Sequence, residues 1–514
     1  MENPSLIVQD LLKPCKIVET HISYLFITET SVYKLKKPVN FGFLDYVSLA
    51  NRKKFCVLEK ELNSRFCDNI YEEVLQIVKI NGTYELLPVD FVLSDNTTVV
   101  DYLLKMKKID ESKFLTSLLE SNKIDEEAIF KLGVLIARTL KRLPESSMEC
   151  GGYDVIKYNV EENFEQTIKF VQNFLDVKIY NYIKGKTLNF LKNNEELFKK
   201  RLVSGLIKDG HGDIRIEHIF IDNEKAGIID CIEFNERFRS NDAVSDFMFL
   251  CMELDQKGFI NLSDCLLKGF LDVFTDNDSK KLINFYKCYR ALVRAKVGCF
   301  FLEQKRVDWP YYKTKRKEIE KLLYLAFSYA FNIDNFKTII FYGLMGSGKS
   351  RNAKVFSENF CAAYFNTDIY RKSMFNIPSE ERHYVTFGSG IYSDDVTLQV
   401  YDGLGASVEE KNKLCRFSVV DGSFSKKAYL EAFTANKAID VIKVKCEASI
   451  DEIKRRLNKR EKDKSISDGR ASILADQISN LEDIEPHIIL NTEDSLEAHA
   501  LKLAHQLIDL ENEE

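Results

Sequence analysis

One octet of mostly small residues constrains the fold of this chain more than any other segment. Its sequence is Gly343-Leu344-Met345-Gly346-Ser347-Gly348-Lys349-Ser350, which fits the pattern GxxxxGK followed by Ser or Thr. The apolar run Lys337–Tyr342 comes directly before it, and a helical pattern starts at Arg351. Glycines let the backbone curl until its N–H groups point at a phosphate, and the helix N-terminus adds positive potential. The strand, loop and helix together predict an α/β domain that binds a nucleotide.

The same octet supplies the groups that phosphoryl transfer needs. We expect the ammonium group of Lys349 to reach the β- and γ-phosphates of ATP, and the hydroxyl of Ser350 to bind Mg²⁺. The other residues of the octet are expected to contact the phosphates through their backbone. The alternative is a glycine-rich turn that binds no nucleotide, but the strand before the loop and the helix after it favour the nucleotide site.

A carboxylate and an arginine follow the next strand pattern. The apolar stretch Ala363–Asn366 leads into Asp368, and Arg371 lies in the helical pattern that comes next. Ligands of open α/β sheets bind beyond the carboxyl ends of the strands. Asp368 is therefore predicted to orient or deprotonate an acceptor hydroxyl while Arg371 holds the substrate. The alternative interpretation makes Asp368 a helix N-cap and Arg371 an ordinary surface residue.

Two further features complete the predicted phosphate site. The strand pattern 417–420 leads to Asp421, where a carboxylate would bind Mg²⁺ directly or through water; a plain turn before Gly422 is the alternative. Arg456 and Arg460 lie one helical turn apart on the same face, so both are predicted to close over the phosphates and neutralise developing charge. A solvated basic helix face is the other interpretation of this pair.

The length of the chain requires more than one hydrophobic core. It has 514 residues, of which 45% are apolar and 30% charged, a balance typical of globular domains. Short strand patterns are followed by helical patterns in the first part of the chain, and strands alternate with helices in the last part. We therefore predict an α+β domain over residues 1–332 and an α/β P-loop domain with a mostly parallel sheet over residues 333–514.

Charge and cysteine content restrict the partners and the compartment. The net charge of -6 gives no basic footprint, so a nucleic-acid partner is disfavoured. Neither a signal peptide nor an apolar run long enough to cross a membrane is found, and no membrane partner is predicted. The 12 cysteines form no CxxC pair, which favours a reducing cytoplasm over a disulfide framework or a zinc ribbon.

The first domain carries a second group of candidate residues. Asp213 lies in a loop, His218 follows five residues later, and Asp230 ends the second of two short strand patterns. In kinase-type sites a loop carboxylate accepts the proton of the hydroxyl, and residues at the two later places bind metal. The spacing therefore predicts Asp213 as the catalytic residue, with His218 and Asp230 as metal ligands.

A lysine and a glutamate upstream of that loop complete the predicted site. Lys34 lies on a strand and Glu59 on the helix that follows it, so a Lys–Glu ion pair is available to anchor a nucleotide phosphate. Lys36 shares the strand face of Lys34 because side chains alternate along a strand. Of the two lysines, Lys34 is preferred as the phosphate anchor.

The predicted P-loop domain resembles the P-loop small-molecule kinases, a group that includes gluconate kinase, zeta toxin and polynucleotide kinase. The residues that carry the resemblance are the octet, Asp368, Arg371, Asp421, Arg456 and Arg460. The resemblance implies phosphorylation of a hydroxyl group. Members of this group differ in their acceptor, so the resemblance leaves the acceptor open.

The first domain is similar to the aminoglycoside phosphotransferase family, whose fold is the two-lobed fold of protein kinases. The similarity extends to bacterial two-domain proteins in which such a domain is fused to a P-loop ATPase or kinase domain. The strings that carry it are Glu19-Thr20-His21-Ile22-Ser23, Lys36-Lys37-Pro38-Val39-Asn40-Phe41-Gly42-Phe43-Leu44-Asp45, Glu162-Asn163-Phe164, His211-Gly212-Asp213 and Ile232-Glu233-Phe234-Asn235. With the P-loop half included, the resemblance covers nearly the whole chain. It implies a two-lobed, kinase-like first domain.

Two departures from that family bear on the first site. His218 stands where the family has a metal-binding Asn, and imidazole suits Mn²⁺ better than Mg²⁺, so Mn²⁺ is an alternative metal there. Residues 25–30 include no glycine, so the flexible loop that covers the phosphates of protein kinases is absent in its usual composition. In another interpretation, Asp213 and Asp230 only brace a loop in a fold that has lost catalysis.

Each domain is therefore predicted to bind ATP with a divalent ion and to transfer the γ-phosphoryl group to a hydroxyl of a small molecule. Candidates for the acceptor pocket of the first domain are Asn163, Glu233, Arg290 and Arg294. One alternative is a nucleotide-gated regulator that joins a slow ATPase to a noncatalytic kinase-like sensor. Another is a polynucleotide 5′-hydroxyl kinase, for which the acidic chain offers few basic groups beside Asp368.

Overall fold

The computed structural model describes residues 3–171, 175–222, 225–304, 309–460, 468–493 and 496–513. Strands are β1 Lys16–Glu19, β2 Ser23–Ile27, β3 Ser31–Lys36, β4 Tyr71–Ile80, β5 Thr83–Pro88, β6 Thr97–Lys107, β7 Ile207–Asp209, β8 Ile219–Asp222, β9 Lys225–Ile228, β10 Ser240–Asp242, β11 Lys337–Tyr342, β12 Ala363–Asn366, β13 Ser418–Asp421, β14 Asp440–Glu447 and β15 Ile488–Asn491. Helices are α1 Pro4–Leu12, α2 Leu49–Asn63, α3 Leu115–Glu120, α4 Glu126–Arg142, α5 Met148–Gly151, α6 Tyr153–Thr167, α7 Val177–Asn193, α8 Glu195–Val203, α9 Glu236–Arg239, α10 Ala243–Gln256, α11 Ile260–Val273, α12 Asn277–Lys281, α13 Ile283–Gln304, α14 Trp309–Phe331, α15 Lys349–Phe360, α16 Thr367–Met374, α17 Asp394–Asn412, α18 Lys427–Thr434, α19 Ile450–Arg460, α20 Leu474–Ser479 and α21 Leu496–Glu513. No helix in these described ranges is both long and apolar enough to cross a membrane.

The chain forms two compact units, each built from several segments. The first comprises Met1–Lys157, Glu195–Leu254 and Asn261–Thr275. The second comprises Tyr158–Asn194, Asp255–Ile260 and Asp276–Glu514. The domain boundary predicted from the sequence, between residues 332 and 333, falls inside the second unit. The division of the chain into domains 1–332 and 333–514 stays a prediction.

Contacts within the second unit join its early helices to the parallel sheet. The ring of Phe331 in α14 lies 5.6 Å from that of Phe417, between ring centroids. The buried carboxylate of Asp255 pairs with Lys287 at 3.0 Å and with Arg416 at 2.7 Å. The change from helical to strand patterns near residue 332 therefore marks where the strands of the parallel sheet begin. It does not mark a break in packing, because α14 packs against residues that follow it in the chain.

The first unit contains a six-stranded antiparallel sheet in the order β1-β2-β3-β6-β4-β5. Side chains alternate between the two faces of a strand, and β3 shows the consequence. Leu35 packs in an apolar cluster with Val8 of α1 and Phe26 of β2. Lys34 and Lys36 point to the opposite face, where α2 lies, and both bond to a side chain of that helix. The combination of this sheet with helices confirms the predicted α+β class.

The second unit contains a five-stranded sheet in the order β12-β13-β11-β14-β15, and all described pairs are parallel. Strand β11 is central and all of its residues are buried. Helices α17 and α18 cover one part of the sheet through a cluster of buried apolar residues: Ile340, Tyr342, Val400, Tyr401, Leu404, Val408, Val420, Phe424, Tyr429, Phe433 and Ile484. The predicted α/β domain with a parallel sheet is therefore confirmed.

Helices α4 and α11 cross at two glycines that leave no room for a side chain. A Cβ added at Gly133 would lie 2.3 Å from the carbonyl O of Leu266, and one added at Gly269 would lie 2.3 Å from that of Phe130. The obstructing atoms belong to the backbone, so they cannot rotate away as a flexible side chain can. Glycine at these two positions therefore sets the distance between the helices.

We expect Gly133→Ala to lower the free energy of unfolding of the first unit by about 1–3 kcal/mol, because the two helices must move apart. Gly185→Ala is the matched control, since a Cβ at that position in α7 meets nothing within 4 Å. Loss of glycine from a helix interior should there stabilise the protein by about 0.5–1 kcal/mol. Thermal denaturation measures both changes, and equal melting temperatures for the two variants would contradict the close crossing.

Candidate functional site

The phosphate-binding loop leaves the carboxyl end of β11 and enters α15, which begins at Lys349. Gly343, Gly346 and Gly348 have φ angles of +136°, +78° and +93°, a region that residues with a side chain disfavour. A Cβ at Gly348 would also lie 2.9 Å from Thr492 Oγ1. The backbone therefore follows the curled path that the octet predicts.

Residues far along the chain hold this loop in place. The hydroxyl of Thr492 donates to the carbonyl O of Ser347 at 2.5 Å. The side-chain O of Gln477 accepts the N–H of Met345 at 2.8 Å. Sequence reasoning did not find Thr492 or Gln477 because neither belongs to a motif. The usable signal for Thr492 was the strand pattern before it, since parallel strands end at the same edge of a sheet.

A small cavity beside the loop brings residues from separate motifs together. It is lined by Gly346, Gly348, Lys349, Ser350, Arg351, Asn366, Thr367, Asp368, Asp421 and Arg460. Ser350, Asp368, Asp421 and Arg460 were each singled out in the sequence. The structure therefore places a hydroxyl, two carboxylates and a guanidinium group around the phosphate-binding loop.

Asp421 is the last residue of β13 and is almost completely buried, with 1% of its surface exposed. Its Oδ2 accepts from Asn366 Nδ2 at 2.5 Å and from the hydroxyl of Tyr364 at 3.0 Å. Its Oδ1 is buried and has no hydrogen-bond partner in the described part of the chain. A buried carboxylate oxygen normally has a partner, and Mg²⁺ prefers such hard oxygen ligands. Asp421 and the nearby hydroxyl of Ser350 therefore fit a Mg²⁺ ion.

Asp368 lies in the first turn of α16 and not at the end of β12. Asn366 ends that strand and caps the helix, since its Oδ1 accepts the N–H of Ile369 at 2.9 Å. The interpretation of Asp368 as the helix cap is therefore wrong. Burial raises the pKa of Asp368 above its ordinary value, and the charges of Arg371 and Lys349 offset this only in part. A carboxyl with a raised pKa accepts a proton more readily than an ordinary aspartate.

A larger cavity, of about 400 Å³, adjoins the same loop. Lys349 and Asp368 line this cavity as well as the smaller one. Its other walls are formed by polar and charged side chains with a few apolar ones: Met345, Thr367, Arg371, His383, Val385, Thr386, Phe387, Tyr392, Asp394, Thr397, Ser423, Ser425, Lys426, Tyr429, Asp468, Arg470, Ile473, Gln477 and Asn480. A polar molecule in this cavity would contact Asp368 beside the phosphate-binding loop.

Arg371 is buried at the wall of the larger cavity, with 4% of its surface exposed. Its Nη1 donates to the carbonyl O of Ile391 at 2.8 Å and to the hydroxyl of Thr397 at 3.1 Å. Its guanidinium carbon lies 4.7 Å from the ring centroid of Tyr392, and its Nε has no hydrogen-bond partner among the described residues. The interpretation of Arg371 as a surface residue is therefore wrong.

Arg456 and Arg460 do not line the same cavity, although they share a helix face. Arg456 donates to Thr492 through Oγ1 at 3.0 Å and through the carbonyl O at 2.9 Å, and to the carbonyl O of Gly346 at 3.4 Å. Arg460 lines the small cavity. Arg456 thus braces the loop from behind, while Arg460 faces the space beside it.

In the first unit, the predicted Lys–Glu ion pair is formed. Lys34 Nζ lies 2.7 Å from Glu59 Oε1 and 2.7 Å from Asp230 Oδ1. Burial would raise the pKa of Asp230, but the charge of Lys34, the bond from Lys34 and the nearby His218 together outweigh it, so this pKa lies below its ordinary value. The structure therefore brings three of the predicted residues together around one ammonium group.

Lys36 makes a parallel set of contacts deeper in the unit. Its Nζ lies 2.6 Å from Glu59 Oε2 and also pairs with Glu233, which the hydroxyl of Tyr46 contacts as well. Glu233 is 4% exposed, so it lies inside this cluster and not on an open pocket wall. Tyr46 was outside the sequence prediction, because no spacing relates it to the lysines.

The loop after β7 places the ring of His218 near three carboxylates. His218 Nδ1 lies 2.9 Å from the carbonyl O of Asp213, and Nε2 lies 3.7 Å from Asp230 Oδ2. Nδ1 also lies 3.6 Å from Asp213 Oδ2, and Nε2 lies 3.7 Å from Glu217 Oε1. Within the described ranges, no three His, Cys, Asp or Glu side chains form a group that could hold a metal ion.

Two buried carboxylates of α10 order this loop. Asp246 accepts the N–H groups of His211 at 2.7 Å and Gly212 at 3.0 Å. Glu253 accepts from Arg215 at 3.0 Å, and it accepts a backbone N–H of the same loop at 2.7 Å. Burial and the nearby His218 lower the pKa of His211 to about 3, so this ring stays neutral and fixed. The helical pattern of α10 gave no signal for these roles.

The hairpin turns beside β2 are closed by hydroxyl groups. Residues 25–30 form the end of β2 and the turn into β3, where Thr28 Oγ1 donates to the carbonyl O of Ser31 at 2.9 Å. Thr20 Oγ1 does the same to Ser23 at 3.0 Å in the preceding turn. Neither turn contains glycine. Hydrogen bonds from the threonine hydroxyls close both turns instead.

The four candidates for the acceptor pocket of the first domain are not brought together in one described unit. Asn163 lies in α6 and Arg290 and Arg294 lie in α13, all in the second unit. Glu233 belongs to the first unit. Asn163 and Arg290 are buried, with 3% and 4% of their surfaces exposed. The acceptor-binding role of these four residues stays a prediction.

Residues 339–484 match the AAA_33 family model, which describes an AAA domain. The match includes the phosphate-binding loop, Asp421 and Arg460, and it confirms a P-loop domain in this part of the chain. Uncharacterised proteins of Mycobacterium tuberculosis and Mycobacterium bovis are 24% identical to this chain over 450 residues, which is 84% of this chain and 84% of each relative.

Three similar solved structures are kinases by name. A sugar kinase from Janibacter is 18% identical and covers 34% of this chain and 95% of its own, with a TM-score of 0.27. A gluconokinase from Sinorhizobium meliloti is 20% identical, and the match covers 34% of this chain and 94% of the gluconokinase, with a TM-score of 0.25. A choline/ethanolamine kinase family protein from Mesorhizobium loti is 11% identical, and the match covers 62% of this chain and 90% of that protein, with a TM-score of 0.36.

We expect Arg456→Met to lower the free energy of unfolding by about 1–3 kcal/mol without any nucleotide, because the buried carbonyl groups of Thr492 and Gly346 lose this donor. Arg455→Met is the matched control: Arg455 is 68% exposed at its side chain and pairs with Glu452 on the same helix. Chemical denaturation of both variants tests the difference. Unchanged stability of Arg456→Met, with loss of nucleotide affinity alone, would instead indicate a direct phosphate contact.

Proposed function

We propose that the second unit transfers the γ-phosphoryl group of ATP to a hydroxyl group of a small molecule. The observation that carries this proposal is the meeting of Lys349, Ser350, Asp368 and Asp421 at one cavity. A P-loop serves motors and switches as well as kinases. The half-buried carboxylate of Asp368 beside the loop favours transfer to an acceptor, because it offers a proton acceptor next to the phosphate site.

Each of these residues has a role that follows from its position. Ser350 and Asp421 would hold Mg²⁺, which supplies positive charge against the phosphates when it is bound. Lys349 neutralises charge that develops on the transferred group, and Arg460 adds a second cation at the cavity wall. The acceptor hydroxyl gives its proton to Asp368 as its oxygen bonds to the γ-phosphorus, and the bond to the departing ADP breaks.

The larger cavity supports a small acceptor. Its volume of about 400 Å³ is in the range of small-molecule sites. Arg371 belongs to that wall and its buried Nε has no hydrogen-bond partner among the described residues, so we assign Arg371 the binding of a polar or anionic group of the acceptor. A polynucleotide end is the competing acceptor, and the acidic chain makes it the weaker one.

We infer that the first unit holds a second nucleotide site of the protein-kinase type, with ATP and either Mg²⁺ or Mn²⁺. The contacts of Lys34 with Glu59 and Asp230 support a phosphate anchor. Carboxylate oxygens of Asp230 and the ring nitrogen of His218 fit a divalent ion, and Asp213 would accept the hydroxyl proton. The competing proposal is a noncatalytic sensor joined to a slow ATPase.

The free state of all 12 cysteines supports a cytoplasmic location for the whole protein.

Lys349→Ala should lower the rate of phosphoryl transfer by about 100-fold or more, because a charge aimed at the transition state is lost. Lys354→Ala is the matched control, since Lys354 lies on the same helix with its side chain 67% exposed. Full-length proteins are incubated with ATP, Mg²⁺ and a metabolite mixture, and phosphorylated products are identified by mass spectrometry. Asp213→Ala is included to assign any product to one site.

The pattern of product loss separates the proposals. A product that disappears in Lys349→Ala and persists in Asp213→Ala belongs to the P-loop site. The reverse pattern assigns it to the first unit. ATP binding without any phosphorylated hydroxyl compound would favour the regulator, and phosphate on oligonucleotide 5′ ends alone would favour the polynucleotide kinase.

His218→Asn should keep or raise Mg²⁺-dependent transfer by the first unit, because an amide oxygen suits Mg²⁺ better than an imidazole nitrogen. Activity of this variant is measured with Mg²⁺ and with Mn²⁺ in parallel. Unchanged activity in both His218→Asn and Asp213→Ala would exclude catalysis at this site.

A further inference from the structure

Two lysines in the first unit share one buried carboxylate. Lys34 and Lys36 point to the same face of β3 because they are two residues apart. Lys34 bonds to Oε1 of Glu59 and Lys36 to Oε2, at 2.7 and 2.6 Å. Glu59 has no exposed surface, so each of its oxygens is neutralised by one ammonium group. This arrangement goes beyond the single Lys–Glu pair that a phosphate anchor requires.

The other contacts of the two lysines differ in exposure. Lys34 bonds to Asp230, whose side chain is 49% exposed. Lys36 pairs with Glu233, whose side chain is 5% exposed, and Lys36 itself is only 1% exposed. The outer pair can therefore exchange partners with a ligand from solvent, whereas the inner pair is closed off from it.

The segment 230–233 needs anchors, because Asp230 has a φ of +66°, in the left-handed region that costs free energy for a residue with a side chain. Its N–H donates to the hydroxyl of Tyr71 at 3.0 Å, and the N–H of Cys231 donates to Asn63 Oδ1 at 3.0 Å. These bonds fix the start of the segment. The pair of Glu233 with Lys36 fixes its end.

We propose that Lys36, acting through its ion pair with Glu233, is a positioning residue that holds Glu59 and the segment 230–233 when Lys34 leaves Asp230 for a nucleotide phosphate. The proposal rests on the proposed function of the first unit. Lys34 engages Oδ1 of Asp230, so Lys34 must leave this carboxylate before both of its oxygens can meet a metal ion. Glu59 then still holds Lys34, and Lys36 still holds Glu59.

Lys36→Met should raise the Mg²⁺ concentration at half-saturation of nucleotide binding by about tenfold. This corresponds to a loss of about 1.4 kcal/mol in the free energy of Mg²⁺ binding, because Asp230 is no longer held in position. The readout is calorimetric binding of a nonhydrolysable ATP analogue to the full chain at a series of Mg²⁺ concentrations. All variants carry Lys349→Ala, which removes the phosphate anchor of the other site. Excess Mg²⁺ should restore binding to Lys36→Met, and it should not restore binding to Lys34→Met, which loses a phosphate contact.

Lys37→Met is the matched control. Lys37 is the next residue along the chain, and its ammonium group bonds to Glu19 at 2.6 Å, outside the cluster. This variant should bind the analogue with the Mg²⁺ dependence of the parent protein. A general effect of removing a lysine would shift it as well, and that result would overturn the proposal.

Lys36→Met removes one partner of a buried ion pair, a change that is strongly destabilising. Glu233→Gln therefore provides a second test of the same pair if Lys36→Met fails to fold. The amide keeps the size of Glu233 and can still accept a bond from Lys36, so only the charge is lost. It should shift the Mg²⁺ midpoint in the same direction. Where both variants fold, the double variant should be no worse than Lys36→Met, because Lys36→Met already removes the ion pair that Glu233→Gln weakens.

The outcomes distinguish this proposal from the one on which it rests. No analogue binding in the Lys349→Ala parent would remove the nucleotide site of the first unit itself. Analogue binding in the parent, with unchanged Mg²⁺ midpoints for Lys36→Met and Glu233→Gln, would overturn the positioning role alone. Fully additive effects in the double variant would also overturn it, because Lys36 would then act without Glu233.

Discussion

The hydrogen bonds of β11 with β13 and β14 determine where the other parts of the P-loop site can lie. Parallel strands end at the same edge of a sheet, so the loop after β11, Asp421 and Thr492 gather there. A Cβ at Gly343 would lie 2.7 Å from the carbonyl O of Cys446 in β14. The neighbouring strand itself thus requires glycine at the first position of the octet. The shape of the loop is a consequence of strand order as much as of its own sequence.

The two candidate sites treat their central lysine differently. Lys349 donates to the carbonyl O of Leu344 at 3.3 Å, a weak contact that an incoming phosphate can replace. Lys34 bonds to two carboxylates, and a phosphate must displace one of them. A buried ammonium group is stable only when it is paired. The first candidate site is therefore stable when empty, and a nucleotide at the proposed position would have to break one of these ion pairs.

Local motifs carried the successful predictions, and long-range contacts account for the rest. The octet predicted a curled loop between a strand and a helix, and strand patterns predicted the parallel sheet with Asp421 at a strand end. Helical spacing placed Arg456 and Arg460 on one face, but it could not show that Thr492 would bind one of them. Tyr46 and its bond to the lysine cluster also leave no pattern in the sequence, because the contact joins distant segments.

One amide side chain connects Asp421, the proposed metal ligand, with the helix that carries Asp368, the proposed proton acceptor. Asn366 donates to Asp421 through Nδ2, and its Oδ1 accepts the N–H of Ile369 at the start of α16. The same short helix carries Asp368 in its first turn. A shift of Asp421 on meeting an ion of larger radius would pull on this amide and tilt the helix that presents Asp368. Under the roles proposed above, the radius of the ion would then change the position of the Asp368 carboxylate, and with it the position at which an acceptor hydroxyl can lose its proton.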